Sequence, residues 1–297
     1  MALSPGHKFG QIIGDVLEAG IVPLLSKFCK QNNLFLDKRG PRKSRSGNKL
    51  TWKDSHGNSH DLDFVIEKDG TENRTGNPVA FIEVAWRRYT KHSRNKAQEI
   101  QGAILPLAET YSNHFPFIGA ILAGVFTGGA VTQLRSLGFT VLYFPYESVI
   151  EAFRTVHIDA AFDEITTNKA FNEKIKAWEL LPDSERNLVA KRLLDINKIE
   201  VVRFMGQLEI SINRQISSIK ILAMHGTASE WTTVDGAVFY IKEYTEDNHE
   251  DKKVLRYEIE IIYNNGNQID GKFTDKESAL KFLGNYKLIP KTTDKIS

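Results

Sequence analysis

At 297 residues, with 41% hydrophobic and 26% charged side chains, the chain carries enough apolar material for one large domain or two ordinary ones. A net charge of only +2 is silent on nucleic acid, so the local distribution of charge has to decide. The single cysteine, Cys29, excludes an intramolecular disulfide and any cysteine-rich zinc module; with no basic, apolar leader and no run near the ~18 apolar residues of a membrane helix, the expectation is a cytoplasmic protein with no membrane partner.

Phe9–Cys29 has helical apolar spacing through Ile12, Ile13, Val16, Leu17, Ile21, Leu24, Leu25 and Phe28, with a break expected at Gly20–Pro23. Cys29 lies on that apolar face and reads as a buried thiol, and Glu18 reads as a solvated helix carboxylate. Lys38–Lys53 then holds seven Lys/Arg and no acid, with Gly40, Pro41, Ser44, Ser46 and Gly47 as loop markers. Loops this basic are usually solvated, but one with Arg42, Lys43 and Arg45 among seven unopposed cations is also suited to bind phosphate.

His60–Glu67 alternates, placing Asp61, Asp63 and Val65 on one face of a strand and Leu62, Phe64 and Ile66 on the other. Asp69–Asn77 reads as a hairpin loop, and Val79–Ala85 as a strand buried on both faces. That strand carries a carboxylate, Glu83, which is costly to bury unless something pairs with it. Arg87, Arg88, Lys91, Arg94 and Lys96 follow, with no acid before Glu99. Ser93 is placed to cap a helix to about Glu109, packed through Ala97, Ile100, Ile104 and Leu107, with Pro106 a potential early end. Phe117–Phe126 reads as a buried strand, Ala130–Leu137 as a helix stopped by Gly138, and Phe139–Phe144 as another strand. The order β-β-β-α-β-α-β from Leu50 to Phe144 predicts a mixed α/β core with helices on both faces.

Beyond Thr155 the character changes. Phe171–Ser217 has helix formers and amphipathic spacing through Leu188, Leu193, Leu194, Ile199, Val202 and Phe204, with a turn at Leu181–Ser184. Ile219–Met224, Ala237–Tyr244 and Val254–Tyr263 read as strands. Asn264–Asn267 is a hairpin turn leading to Gln268–Phe273, Asp275–Leu283 is a short helix, and Glu246–Asp251 an acidic loop. The division expected is a core domain at 1–155 and an α+β module at 156–297.

Asp63 and Glu83 fall on adjacent strands of one hairpin, an arrangement that brings two side chains within reach of a single cation. Two carboxylates suit Mg²⁺, which takes oxygen ligands and keeps several waters. Lys91, Arg94 and Lys96 could stabilise charge developing beside it. The same residues also have structural readings. Asp61 and Asp63 could be solvated edge acids, Glu83 could pair with Arg87 or Arg88, and the helix cations could form a solvated face. Trp86 and Tyr89 read as packing residues.

The segments Leu62-Asp63-Phe64-Val65-Ile66 and Phe81-Ile82-Glu83-Val84-Ala85, followed by a basic helix, resemble the PD-(D/E)XK nuclease superfamily, type II restriction endonucleases above all. Asp63 matches the first metal-binding aspartate, with Leu62 where proline is usual, and Glu83 matches the second acid. Ala85 stands where the motif lysine belongs. The resemblance implies a restriction-endonuclease-like mixed sheet flanked by helices over about residues 8–150, a Mg²⁺ held by Asp63 and Glu83, and a glutamate on the N-terminal helix near the metal, which Glu18 could supply. In some members the third catalytic side chain comes from the following helix; Lys96 is the first candidate, Lys91 the second, with Gln98 and Glu99 also open. Double-stranded DNA is the implied substrate. Arg42, Lys43, Arg45, Arg87, Arg88 and Arg94 are the expected DNA contacts, the C-terminal module serves recognition or dimerisation, and a homodimer is expected for a two-fold site. The alternatives are a structure-specific or repair nuclease, and an inactive nuclease fold that only binds DNA.

Overall fold

The first helix, α1 (Pro5–Gln31), starts where Ser4 caps it by accepting from the His7 amide, with proline at the first turn, where its missing N–H costs nothing. It runs through Pro23 without the expected break. Gly20 explains part of this: a Cβ there would lie 3.4 Å from the Ala190 carbonyl and the Leu194 side chain, so the glycine admits a crossing helix instead of ending one. The computed structural model describes residues 4–223, 226, 228–245 and 256–286.

A five-stranded sheet follows, built from β1 (Leu34–Lys38), β4 (Phe64–Lys68), β5 (Asn77–Arg87), β6 (Phe117–Gly124) and β7 (Thr140–Pro145), in the spatial order β1-β4-β5-β6-β7. β1, β4 and β5 pair antiparallel, whereas β5, β6 and β7 are parallel. The chain is thus a mixed α/β fold. Between β1 and β4 the chain makes a separate two-stranded hairpin, β2 (Leu50–Lys53) and β3 (Ser59–Leu62). The single strand expected at His60–Glu67 is therefore two, interrupted at Asp63. The break also changes faces: Leu62 packs in the cluster of Val65, not in that of Phe64 and Ile66.

The sheet has a core on each side. On one, Phe64, Ile66, Ala80 and Ile82 meet α1 together with α4 (Tyr146–Arg154), α5 (Asn168–Glu179), α6 (Asp183–Ile196) and α7 (Lys198–Ile212). On the other, Val65, Phe81 and Ala85 meet α2 (Ser93–Thr110) and α3 (Gly128–Ser136) through Ala97, Ile100, Ile104, Leu107 and Leu134. α2 continues through Pro106 to Thr110. Ser93 does not cap it; its hydroxyl donates to the Thr90 carbonyl and accepts from the Thr127 amide, joining α2 to the start of α3.

The chain divides into units spanning residues 1–212 and 213–297, not at 155/156. The reason is burial: Phe171, Ile175, Trp178, Val189, Leu193, Val201, Phe204 and Leu208 join the same core as α1, so the three helices belong to the first unit. Of the stripe expected there, Leu188, Ile199 and Val202 are exposed, because the helices turn their Val189 and Val201 faces inward.

The second unit has a four-stranded antiparallel sheet, in the order β11-β10-β8-β9, of β8 (Ile216–Ala223), β9 (Ser229–Trp231), β10 (Tyr257–Tyr263) and β11 (Gln268–Phe273), with α8 (Val234–Glu243) and α9 (Lys276–Gly284). The Asn264–Asn267 turn joins β10 and β11 as expected, with Gly266 at φ +83°. Ala237–Tyr244 is helical, not a strand. Thr233 caps it by accepting from Gly236, and it buries Val234, Ala237 and Ile241, an i, i+3, i+7 stripe, while Phe239 is exposed. The acidic segment Glu246–Asp251, expected as a loop, lies outside the described residues.

Candidate active site

β5 alternates sides as a strand must. Glu83 shares the parity of Phe81 and Ala85, which pack toward α2, while Ala80 and Ile82 pack toward α1. In the β4–β5 ladder Phe64 stands opposite Ile82, so Asp63, one residue earlier, arrives beside Glu83. The Asp63 carboxylate is fixed there by accepting from the Val84 amide at 2.7 Å. The break before β4 is thus where Asp63 turns onto the neighbouring strand.

Two acids held side by side, Glu83 buried and Asp63 half-buried, resist double ionisation. Burial first, then the charge of Asp63, pushes the Glu83 carboxyl up to about 8. Burial likewise raises Asp63, against the Val84 hydrogen bond and the field of Lys96, which pull it down. Glu18 on α1 is raised by burial and then by Asp63, which places it within the electrostatic field of the pair. Of the structural readings, the pairing of Glu83 with Arg87 or Arg88 does not form: Arg87 lies 3.8 Å from Glu99, and Arg88 donates to the Phe162 carbonyl while stacking on Tyr146, 4.1 Å from the ring centroid.

The field of Lys96 reaches both acids of the pair. Lys96 lies on the first turn of α2 and is within 3.2 Å of Glu99. It lines the same 550 Å³ cavity as Val84 and Ala85. α2 covers the face of β5 on which Glu83 and Ala85 both point, so its first turn stands on the side of the acid pair. Lys91 is exposed and pairs with Glu164 at 3.5 Å. Arg94 is exposed.

The basic arm has a different internal order from the one expected. Arg42 is buried and chelates Glu67 with two bonds of 2.7 and 2.9 Å, bonds Asp37 at 2.5 Å, and donates to the Thr71 and Arg74 carbonyls. Arg45 bonds Asp37 and the Lys38 and Gly40 carbonyls. These two arginines are anchors of the arm and are not free to meet DNA, because the acids on β1 and β4 claim them. Lys43 remains exposed. The candidates reasoning from sequence missed are Arg39 and Lys49, which line a second cavity of about 280 Å³ with Leu50, Asp61, Leu62, Asp63 and Glu83. Only their place at the two ends of one basic loop could have marked them.

Elsewhere, Cys29 is buried, and burial pushes its thiol up to about 12. His60 bonds Asp54 at 2.9 Å. No group of three or more His, Cys, Asp or Glu poised to hold a metal occurs among the described residues. In the second unit, Lys220 pairs with Glu260, and Arg256 and Lys272 pair with Glu258.

No known family profile matches the sequence, and no curated protein matches it. A crystal structure described as "Protein of Unknown Function AF1548" aligns with 64% of this chain and 98% of its own at 8% identity, with a TM-score of 0.28.

Proposed function

We propose that the chain is a Mg²⁺-dependent endonuclease of the restriction type, hydrolysing phosphodiester bonds in double-stranded DNA on a restriction-endonuclease-like core. The observation that supports it most is the side-by-side Asp63–Glu83 pair, Glu83 buried and Asp63 half-buried, in the field of Lys96 on α2. Mg²⁺ is bound through one or two carboxylates and keeps waters, so a two-acid donor set fits it without a third protein ligand. Asp63 and Glu83 would hold the ion, which when bound supplies a Lewis acid for the phosphate and a water of lowered pKa. Glu83, proton-bearing without metal, would give up its proton on loading. Asp63, tied to the Val84 amide, keeps its orientation. Lys96 supplies the positive charge that the motif lysine would give, close to the reacting phosphate.

The test is cleavage of a supercoiled plasmid with and without Mg²⁺ by the wild type, Asp63→Ala and Glu83→Ala. Discrete fragments from the wild type alone support restriction, whereas cutting of branched substrates only supports a repair nuclease. DNA binding without cleavage in any divalent metal supports the second reading, an inactive DNA-binding fold, which Ala85 favours. A homodimer suits a palindromic target, and Ile199, Val202 and Ile210 are exposed apolar residues of α7 that could serve it. A monomeric mass in solution with one site engaged would remove that part of the proposal.

A further inference from the structure

The arm between β1 and β2 is a closed loop. The Gly40 amide donates to the Asn48 carbonyl at 2.8 Å, and Gly40 takes φ +132°, a conformation that favours glycine. Arg39 and Lys49 flank this neck, one on each side. Arg42 and Arg45 hold the loop from within, so the neck is fixed by buried charge pairs and does not depend on the solvent-facing residues. Both neck residues line the cavity that also contains Asp63 and Glu83. They are not equivalent. Lys49 is neutralised by Asp61 at 2.5 Å, whereas Arg39 is exposed and makes no ion pair or side-chain hydrogen bond among the described residues. The field of Arg39 nevertheless reaches Glu18, Asp61 and Asp63.

The charge of the cavity lining points to its occupant. Asp61, Asp63 and Glu83 against Arg39 and Lys49 give −3 + 2 = −1 when all are ionised. A divalent cation on the acid pair turns this to +1, and one phosphodiester, at −1, closes it to zero. Arg39 is the unpaired donor there, with a planar fork matched to phosphate oxygens.

We propose that Arg39 grips a backbone phosphate of the nucleic acid in this cavity, on the Asp63–Glu83 pair from the side of the arm. The inference rests on the nuclease reading of that pair. It makes Arg39 a substrate-contacting residue and leaves Arg42 and Arg45 as the supports that preorganise it.

The test compares Arg39→Gln, Arg39→Lys and Lys191→Ala with the full-length wild type. Binding to a labelled duplex is measured in Ca²⁺ over a range of salt, and single-turnover plasmid cleavage in Mg²⁺. Arg39→Gln should weaken binding roughly tenfold to a hundredfold and lower the salt slope by about one ion. It should also slow single-turnover cleavage. Arg39→Lys should keep the slope and recover part of the rate. Lys191→Ala, which removes the same charge from an exposed position on α6 outside the cavity and away from the arm, should leave the single-turnover rate unchanged. Equal behaviour of Arg39→Gln and Lys191→Ala in slope and rate, with both variants folded by circular dichroism, overturns the proposal while the wild type still cuts. A wild type that neither binds nor cuts removes the nuclease reading, and this one with it.

Discussion

Replacing Arg42 by methionine tests whether the arm is anchored by buried charge. Methionine keeps an apolar stem against Phe35, over whose ring the guanidinium sits at 4.3 Å, but removes the charge and every hydrogen bond the guanidinium makes. Asp37 would still have Arg45 and the Lys38 amide. Glu67, with none of its side chain exposed, would keep only the Gly76 amide at 2.7 Å. Breaking a buried pair from one side typically costs ~3–5 kcal/mol, because the abandoned charge has no partner and no water. That is a large part of a total stability of about 5–15 kcal/mol. Urea denaturation followed by tryptophan fluorescence should show the loss in the transition of residues 1–212, which contain Trp52, Trp86 and Trp178. Arg42→Met/Glu67→Gln should be less destabilised than Arg42→Met, since the second change removes the stranded charge. A loss below about 1 kcal/mol, the worth of an ordinary surface pair, or a double variant worse than the single, would refute the reasoning.

Three further outcomes follow from the site and the sheet. Glu83 has a folded pKa near 8, above its ordinary 4.5, so its contribution to stability is present below pH 4.5 and lost as pH rises through about 8. Without metal the melting temperature should therefore fall across that window by more in the wild type than in Glu83→Gln, and the rise on adding Mg²⁺ should grow with pH; parallel pH profiles for the two proteins would contradict this. Lys96→Ala should slow plasmid cleavage by roughly 10²–10³, the usual loss of a charge-stabilising donor, while Lys91→Ala should cut at near the wild-type rate; the reverse order would move the third side chain to Lys91. Gly124→Ala should lower the melting temperature markedly, because at φ +98° its Cβ would fall 2.1 Å from the Arg87 carbonyl oxygen at the end of β5; an unchanged melting curve would show that the β5–β6 end relaxes freely.

The sequence by itself determined the elements whose burial follows a local period. The apolar stripe of α1, the continuous run of β5, the α2 stripe from Ala97 to Leu107 and the Asn-Asn-Gly-Asn turn each state their structure within a dozen or so residues. It also placed Asp63 and Glu83 side by side, because a hairpin fixes which residues face each other. Tertiary structure decided what depends on partners far along the chain. Seven cations between Lys38 and Lys53 look alike in sequence; only Asp37 on β1 and Glu67 on β4 make Arg42 a buried anchor and leave Arg39 facing the acid pair. Ala237–Tyr244, rich in β-forming side chains, became a helix because its apolar stripe finds a sheet to cover, so packing overrode propensity. That the field of Lys96 reaches Glu83 follows from which face of β5 is covered by α2, and that is settled by the sheet and its two cores.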